Sequence, residues 1–366
     1  MSKRLVIDAR WLHTGIGRYV MNLLEGLQHR SGFSVHALAR KQDANTLRPL
    51  CDDITIVDLP IYGWREQMSV PWTARGADLL HVPHYNVPVL FRGDFLVTIH
   101  DLIHLMDPAC SHTLASRAYA RPLLRFAARK ARHIVTVSNF SKAQIVRLLR
   151  VPQEQITVIY NGVHPRFRSL DREEARKRVN TALSLDFPYF LYVGNLKPHK
   201  NLELLLRGFS LLRARGLGGY GLVIVGDGAR RRELLQAMCA RLGISIHVCF
   251  IDRVDDEILP FVYAAADLFI MPSLLEGFGF PVVEAMACGT PVVCSRASAL
   301  LEIAGDAAHF FDPTSCDDLA AAVERVLESP DHRETLRRRG LERARVFAWE
   351  ECARSHCKLY REMMQV

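Results

Sequence analysis

The chain has 366 residues, 49% of them hydrophobic and 23% charged, with 47 Lys and Arg against 39 Asp and Glu. That balance excludes a disordered chain, a collagen and a simple coiled coil, and the length suggests two or three domains. The net charge of +8 favours acidic partners. Nucleic acid, an anionic membrane surface and a phosphorylated small substrate all meet that description, and charge does not choose among them.

The N-terminal stretch MSKRLVIDARWLHTG meets Asp8 and Arg10 too early to hold a secretion-signal core. No run approaches the eighteen or so apolar residues of a membrane-spanning helix. Nine cysteines without paired CxxC spacing argue against a disulfide framework. A cytosolic chain is expected. Cys288, Cys294, Cys352 and Cys357 read as small apolar fillers.

In the first half, RLVIDARW (4–11) predicts a strand, the glycine-bearing turn TGIGRY (14–19) leads into a helix, and FSVHALAR, ITIVDLP, DLLHVPH, FLVTIHD, HIVTVSN and ITVIYNGV supply further strands. Residues 168–186 are charged and weakly apolar, and read as a linker. From 187 the alternation of strand and helix is regular: FPYFLYVGNL, then a helix with Leu202, Leu205, Phe209 and Leu212 on one face, then YGLVIVGDG and further pairs. Continuous apolar strands between helices mean a parallel sheet covered on both faces. The fold class is α/β, with two doubly wound, Rossmann-like domains facing across a cleft: 1–167, the linker, and 187–348. A closing helix over 349–366, anchored by Trp349 and Tyr360, is expected to pack back on the first domain.

Ligands of such sheets sit at the carboxyl ends of the strands, so the loops there hold the candidates. The dinucleotide string G-x-G-x-x-G occurs only as GLGGYG (216–221), after a helix and before a strand, the wrong end of the sheet. No phosphate-binding G-x-x-x-x-G-K-[ST] loop exists. The segment PSLLEGFGFPVVEAMACGTPVVCS (272–295) is more informative. Glu276 lies in a loop, Pro281 suits the first turn of a helix, and Glu284 is expected in that opening turn. Amides from Gly277 through Phe278, Gly279 and Phe280 surround a helix N-terminus, a ready anion site. Two carboxylates for hydroxyl groups on either side of a phosphate cradle match the layout of a nucleotide sugar. A lone Glu284 would more often complement the helix dipole, but the joint pattern favours the ligand. In VGNLKPHKN (193–201), Lys197 reads as a solvated turn residue, whereas Lys200 at a helix start is placed to neutralise a leaving diphosphate.

Glu276 and Glu284, spaced Glu-x7-Glu within EGFGFPVVEAMACGTPVV, resemble the signature of the retaining family 4 glycosyltransferases of the GT-B fold. DARWLHTGIGRY, TIHDLIHLMDP, TVSNFSK, VIYNGV, YVGNLKPHKN, VGDG and FAWEECA match in order, so the resemblance spans essentially the whole chain. It is strongest to bacterial mannosyl- and related transferases of lipopolysaccharide and exopolysaccharide assembly. The resemblance implies that Glu276 holds donor-sugar hydroxyls, Glu284 the ribose and Lys200 the diphosphate. Asn195 stands where many members carry a phosphate-binding arginine, a role left to Lys197, His199 or Arg253. Gly15 and Gly17 would let the TGIGRY turn meet phosphates or acceptor, and His100 would face the donor sugar. Read alone, His100 at the end of FLVTIH is as compatible with a packed structural residue. His100 and His104 in HDLIH lack the intervening glutamate of a zinc motif, and the resemblance implies that no metal is needed.

A retaining glycosidase would carry two carboxyls across the bond to be cleaved, and no such pair is evident. The resemblance instead implies a front-face displacement in which the departing diphosphate helps deprotonate the acceptor hydroxyl. The expected activity moves a hexose, mannose favoured, from a GDP-sugar to a glycan or polyprenyl-diphosphate-linked saccharide. The alternatives are a sugar-nucleotide epimerase or hydrolase and a non-catalytic nucleotide-sugar-binding subunit. Nucleic acid is not expected, since no recognition motif is present. Finally, Arg117, Arg121, Arg125 and Arg129, with Lys130 and Arg132, form a basic stripe at i+4 spacing, with Leu124, Ala127, Ala128 and Ala131 inward. Pro122 is placed to start that helix and leave Arg117 outside it. The stripe suits an ordinary solvated face and, equally, peripheral docking on the inner leaflet of the plasma membrane.

Overall fold

Short apolar runs bounded by turn residues form the strands, and their burial on both faces requires helices above and below. The computed structural model describes residues 2–13, 15–28, 32–61, 63–106 and 114–366, the side chains of 114–121 excepted. These residues divide into two units, one of 2–106, 114–162 and 348–366, the other of 163–347.

The first unit contains β1 (Arg4–Asp8), β2 (Ser34–Ala39), β3 (Asp53–Ile56), β4 (Leu79–Val82), β5 (Phe95–Thr98), β6 (His133–Thr136) and β7 (Ile156–Val158). They form one parallel sheet in the order β3-β2-β1-β4-β5-β6-β7. Ile7 lies between Ala37 and His81. One face of the sheet buries Val6, Leu80, Val97 and Ile134 with Leu124 and Ala127 of the helix Leu114–Lys130. Ala128 and Ala131 are buried too, while Arg125 and Arg129 are exposed. Pro122 sits inside this helix rather than at its start. The side chains of Arg117 and Arg121, and Cys110, lie outside the described residues. The eight cysteines within them are free thiols.

The helix Trp349–Met364 belongs to this unit. It lies so close to the helix Gly17–Leu27 that a Cβ on Gly26 would stand 2.4 Å from that of Ala353. Trp349 and Tyr360 are buried. A polar chain runs through the contact: the Tyr19 hydroxyl meets His356 Nε2 at 2.8 Å and Thr98 Oγ1 at 3.1 Å. Thr98 Oγ1 meets His81 Nε2 at 2.8 Å, and His81 Nδ1 meets the Tyr360 hydroxyl at 2.7 Å.

The second unit contains β8 (Tyr189–Val193), β9 (Gly221–Val225), β10 (Val248–Ile251), β11 (Leu268–Met271), β12 (Val292–Ser295) and β13 (Ala308–Phe311). All pairs are parallel, in the order β10-β9-β8-β11-β12-β13. The stretch 168–186, expected as a linker, carries the helix Arg172–Leu183, capped by Asp171, whose carboxylate accepts from the Glu174 amide at 2.9 Å. Its apolar content is low because one buried pair at i, i+4, Ala175 and Val179, suffices to seat it. The boundary between units falls after Gly162, not after Arg168's predecessor, since Phe167 packs edge-on to Tyr263 of the second unit.

Candidate active site

In each sheet the chain reverses direction of winding at one point, and that is where a doubly wound sheet receives its ligand. In the second unit this is the gap between β8 and β11. The loop after β8 opens on Gly194 at φ +153°, where a Cβ would lie 2.7 Å from the Tyr192 hydroxyl oxygen. A Cβ on Gly226, at the end of β9, would fall 1.8 Å from the Gly194 carbonyl oxygen. Only glycine lets these two strand ends approach so closely. The loop then turns through Pro198–Lys200 into Asn201, at φ 58°, whose side-chain amide donates to the carbonyls of Pro272 (3.1 Å) and Pro313 (2.9 Å). The Leu274 amide donates to the His199 carbonyl at 2.8 Å. The loops after β8 and β11 are thereby stitched together.

That stitching brings Lys200 and Glu276 into contact: Nζ stands 2.6 Å from Oε1, with the residues 8% and 7% exposed. The Glu276 amide donates to Ser298 Oγ at 2.9 Å, which draws in the loop after β12. Burial, and then the neighbouring Glu276 carboxylate, push the Tyr192 phenol well above its usual range. Gly279, at φ +101°, caps the helix Phe280–Ala287, and a Cβ there would stand 2.8 Å from Leu300 Cδ2. Gly277 and Phe278 are buried, with the Phe278 ring edge-on to Phe280 and Phe347.

Glu284 differs from expectation. The helix begins at Phe280, so Glu284 is its fifth residue, beyond the opening turn, and the dipole interaction there is weak. It is buried, and Oε2 accepts from the Tyr263 hydroxyl at 2.8 Å. Asn195, Lys197 and Arg253 are exposed. Asn195 uses Oδ1 to accept from the Lys197 amide at 3.3 Å, and its carbonyl accepts from Tyr192 at 2.8 Å. Arg253 follows β10, separated from β8 by β9, and does not join the Lys200–Glu276 pair.

In the first unit the corresponding reversal lies between β1 and β4. Gly17 starts a helix under strict constraint: a Cβ would fall 1.8 Å from the Leu12 carbonyl oxygen. Gly15 meets nothing within 4 Å among the described residues, so no packing there demands a glycine. His100 follows β5, its Nε2 is 3.1 Å from the Pro83 carbonyl, and its ring is edge-on to Tyr19 at 4.9 Å. Burial lowers its pKa, so it stays neutral near pH 7.

Sequence reasoning missed a buried ionic cluster beside this reversal. Arg10 donates to both Asp8 oxygens (2.8 and 2.7 Å) and pairs with Glu66 at 3.2 Å, and the Asn86 amide donates to Glu66 at 2.7 Å. All four are buried. The available signal was Asp8 and Arg10 two residues apart at the end of an apolar strand. Among the described residues, no group of three His, Cys, Asp or Glu is arranged to hold a metal ion, and no helix is long and apolar enough to cross a membrane.

Two parallel doubly wound units of this kind define the GT-B class of fold. Residues 13–167 match the family described as Glycosyltransferase Family 4, and residues 172–343 match Glycosyl transferases group 1. The O-antigen chain mannosyltransferase B of Escherichia coli is 31% identical over 283 residues, covering 77% of this chain and 74% of the relative. The O-antigen chain mannosyltransferase RfbU of Salmonella typhimurium is 28% identical, covering 69% of this chain and 66% of the relative. Among solved structures, sucrose-phosphate synthase from Thermosynechococcus elongatus aligns over all of both chains with a TM-score of 0.82 at 23% identity. Anabaena HepE in complex with UDP-glucose aligns over 99% of this chain and 100% of that one, with a TM-score of 0.80 at 20% identity. The chain belongs to the family 4 glycosyltransferases, and it is a hexosyltransferase.

Proposed function

We propose that this enzyme transfers a hexose, mannose before others, from a nucleotide-diphosphate donor, GDP-mannose before others, to a saccharide or polyprenyl-diphosphate-linked acceptor of bacterial surface polysaccharide, with retention of configuration and without a metal. The observation that carries it is the buried Lys200–Glu276 pair at the winding reversal of the second sheet, one helix N-terminus away from Glu284. A buried ammonium beside the N-terminus of the helix Phe280–Ala287 suits a diphosphate, and a carboxylate within its reach suits sugar hydroxyls. The names of the curated relatives favour mannose.

In this reading the bond between the anomeric carbon and the diphosphate oxygen breaks, and one from that carbon to the acceptor oxygen forms on the same face. The acceptor's hydroxyl proton passes to the departing diphosphate. Lys200 and the amides of 277–280 stabilise the charge that develops there, taking the part a divalent ion would otherwise play. Glu276 orients the donor sugar, Glu284 holds the ribose, and neutral His100 and the Gly15 turn belong to the sugar and acceptor side. Work on a lipid-linked acceptor puts the enzyme on the cytoplasmic leaflet as a peripheral protein.

The experiment is a donor screen with GDP-, UDP- and dTDP-hexoses, with and without a saccharide acceptor, in EDTA. Transfer from GDP-mannose with an α-linked product supports the reading. Donor consumption equal with and without acceptor points to a hydrolase or epimerase, and binding without turnover points to a non-catalytic subunit.

A further inference from the structure

The helix Glu66–Thr73, flanked by Trp64 and Ala74, has one covered face and one uncovered apolar row. Glu66, Val70 and Ala74 face inward and are buried, Glu66 against Arg10. Half a turn round, Trp64, Met68 and Trp72 recur at i, i+4 and i+8 and are 73%, 62% and 66% exposed. Beside them runs a groove of about 420 Å³ lined by Met68, Trp72, Arg75, Leu90, Phe91 and Arg92, in which Leu90 is also exposed. An uncovered row of two indoles and a thioether is far from the scattered single apolar residues of ordinary surfaces.

Cations border the row. The Arg65 guanidinium lies 5.5 Å from the centre of the Trp64 ring and the Arg75 guanidinium 4.1 Å from that of Trp72. Arg65, Arg75 and Arg92 are exposed, and none of the ion pairs among the described residues engages them. The one acidic residue of the helix, Glu66, points away from the row.

We infer that this row is a docking surface for an anionic lipid bilayer, with Trp64, Met68 and Trp72 entering the headgroup–acyl boundary and Arg65, Arg75 and Arg92 meeting lipid phosphates. Indoles settle at that depth because the ring is apolar and its N–H is wet. A short apolar stripe edged with arginines is the pattern of a helix lying in the plane of the interface, held by buried apolar area and by charge together. The partner is thus named by charge complementarity: a surface both apolar and negative. The inference rests on the lipid-side part of the reading above and deepens it by naming this row as a contact surface.

Its test uses the full chain and sedimentation with phosphatidylcholine vesicles, with or without phosphatidylglycerol. All four tryptophans belong to the first unit, and Trp11 and Trp349 are buried. A blue shift of emission on vesicle addition, and quenching by brominated lipid, therefore report on Trp64 and Trp72. Wild type should bind the anionic vesicles and not the neutral ones. Trp64→Ser with Trp72→Ser should lower partitioning by about tenfold or more per residue. Arg65→Gln, Arg75→Gln and Arg92→Gln together should abolish its dependence on phosphatidylglycerol and salt. Unchanged Tm in these variants separates lost docking from lost folding. Undiminished vesicle binding by the tryptophan variant overturns the inference. So does light scattering that shows a dimer which that variant splits, since the row would then face a second copy. Donor turnover on a soluble acceptor is measured alongside: its absence in wild type sinks the transfer reading and leaves the docking result standing.

Discussion

Replacing Lys200 and Glu276 singly and together separates what the pair does for folding from what it does for transfer. At 2.6 Å the attraction between the two charges is on the order of 6 kcal/mol at an effective dielectric near 20. Burying two ions costs several kcal/mol each, so the intact pair adds little net stability. Removing one partner abolishes the attraction and strands the other ion. Lys200→Met or Glu276→Gln should therefore cost about 3–5 kcal/mol. For a unit the size of 163–347 that is roughly 6–20 °C in Tm. The double variant Lys200→Met/Glu276→Gln strands no ion and should regain most of the lost Tm. Transfer behaves differently if the pair serves the donor. Each single variant should lose about 10²–10³ in kcat, as for one preorganised charge contact, and the double variant should recover none of it. Calorimetry and a radiolabelled-donor transfer assay on the four proteins decide the matter. A double variant that regains activity along with Tm would refute the reasoning, because the pair would then be a structural tie and no more.

The other predictions concern both units. Gly17→Ala should lower Tm by several degrees, since its Cβ would strike the Leu12 carbonyl, whereas Gly15→Ala should leave Tm unchanged and reduce transfer if the turn meets substrate; equal Tm losses would contradict the contrast drawn here. Glu284→Gln should raise KM for the donor and barely alter kcat, and a collapse of kcat at unchanged KM would remove its ribose role. Burial lowers the pKa values of His81, His84, His100 and His356, His84 to about 3 and His356 to about 4, so the fold holds them neutral while the unfolded chain takes up protons first. Stability of the first unit should accordingly be full above pH 6.5 and fall as pH drops toward 4, by up to about 1.4 kcal/mol per pH unit for each histidine. Tryptophan fluorescence follows that unit alone, and a flat midpoint from pH 6.5 to 4 would count against it. EDTA should leave transfer unchanged; loss of activity restored by Mg²⁺ would show that the phosphate charge is neutralised by an ion instead of by Lys200.

Periodicity made the sheets legible and loop chemistry made half the site legible. Parallel strands are apolar throughout, so LVID, YFLYV and LFIM announce themselves, and the positions of Glu276 and Lys200 at strand ends follow from that alone. Their contact does not. It depends on Asn201 in a left-handed conformation tying two loops that lie 71 residues apart in sequence. Glu284 was displaced from the opening turn because the helix starts on Phe280, after a left-handed Gly279, and a cap of that kind leaves only a glycine as its trace. The helix over Arg172–Leu183 has the composition of a linker because two buried residues on one face are too few to raise the apolar content of the stretch.

What stayed hidden altogether was the use of charge inside the first unit. Arg10 and Glu66 are 56 residues apart and carry no pattern, yet they join the loop after β1 to the helix Glu66–Thr73. The two faces of that helix thus have different partners. Inside, Glu66 fixes the chain just ahead of the Gly15–Gly17 turn, and outside, Trp64, Met68 and Trp72 face solvent. An enzyme whose acceptor is lipid-linked needs its acceptor-side loop held at a set height above the bilayer. On the docking proposed above, a single short helix, clamped to that loop by a buried ion pair and set on the bilayer by its indoles, would supply that spacing. Breaking the clamp with Glu66→Gln should then weaken transfer to a lipid-linked acceptor more than transfer to a soluble one, and equal losses on both would show that the clamp serves the fold alone.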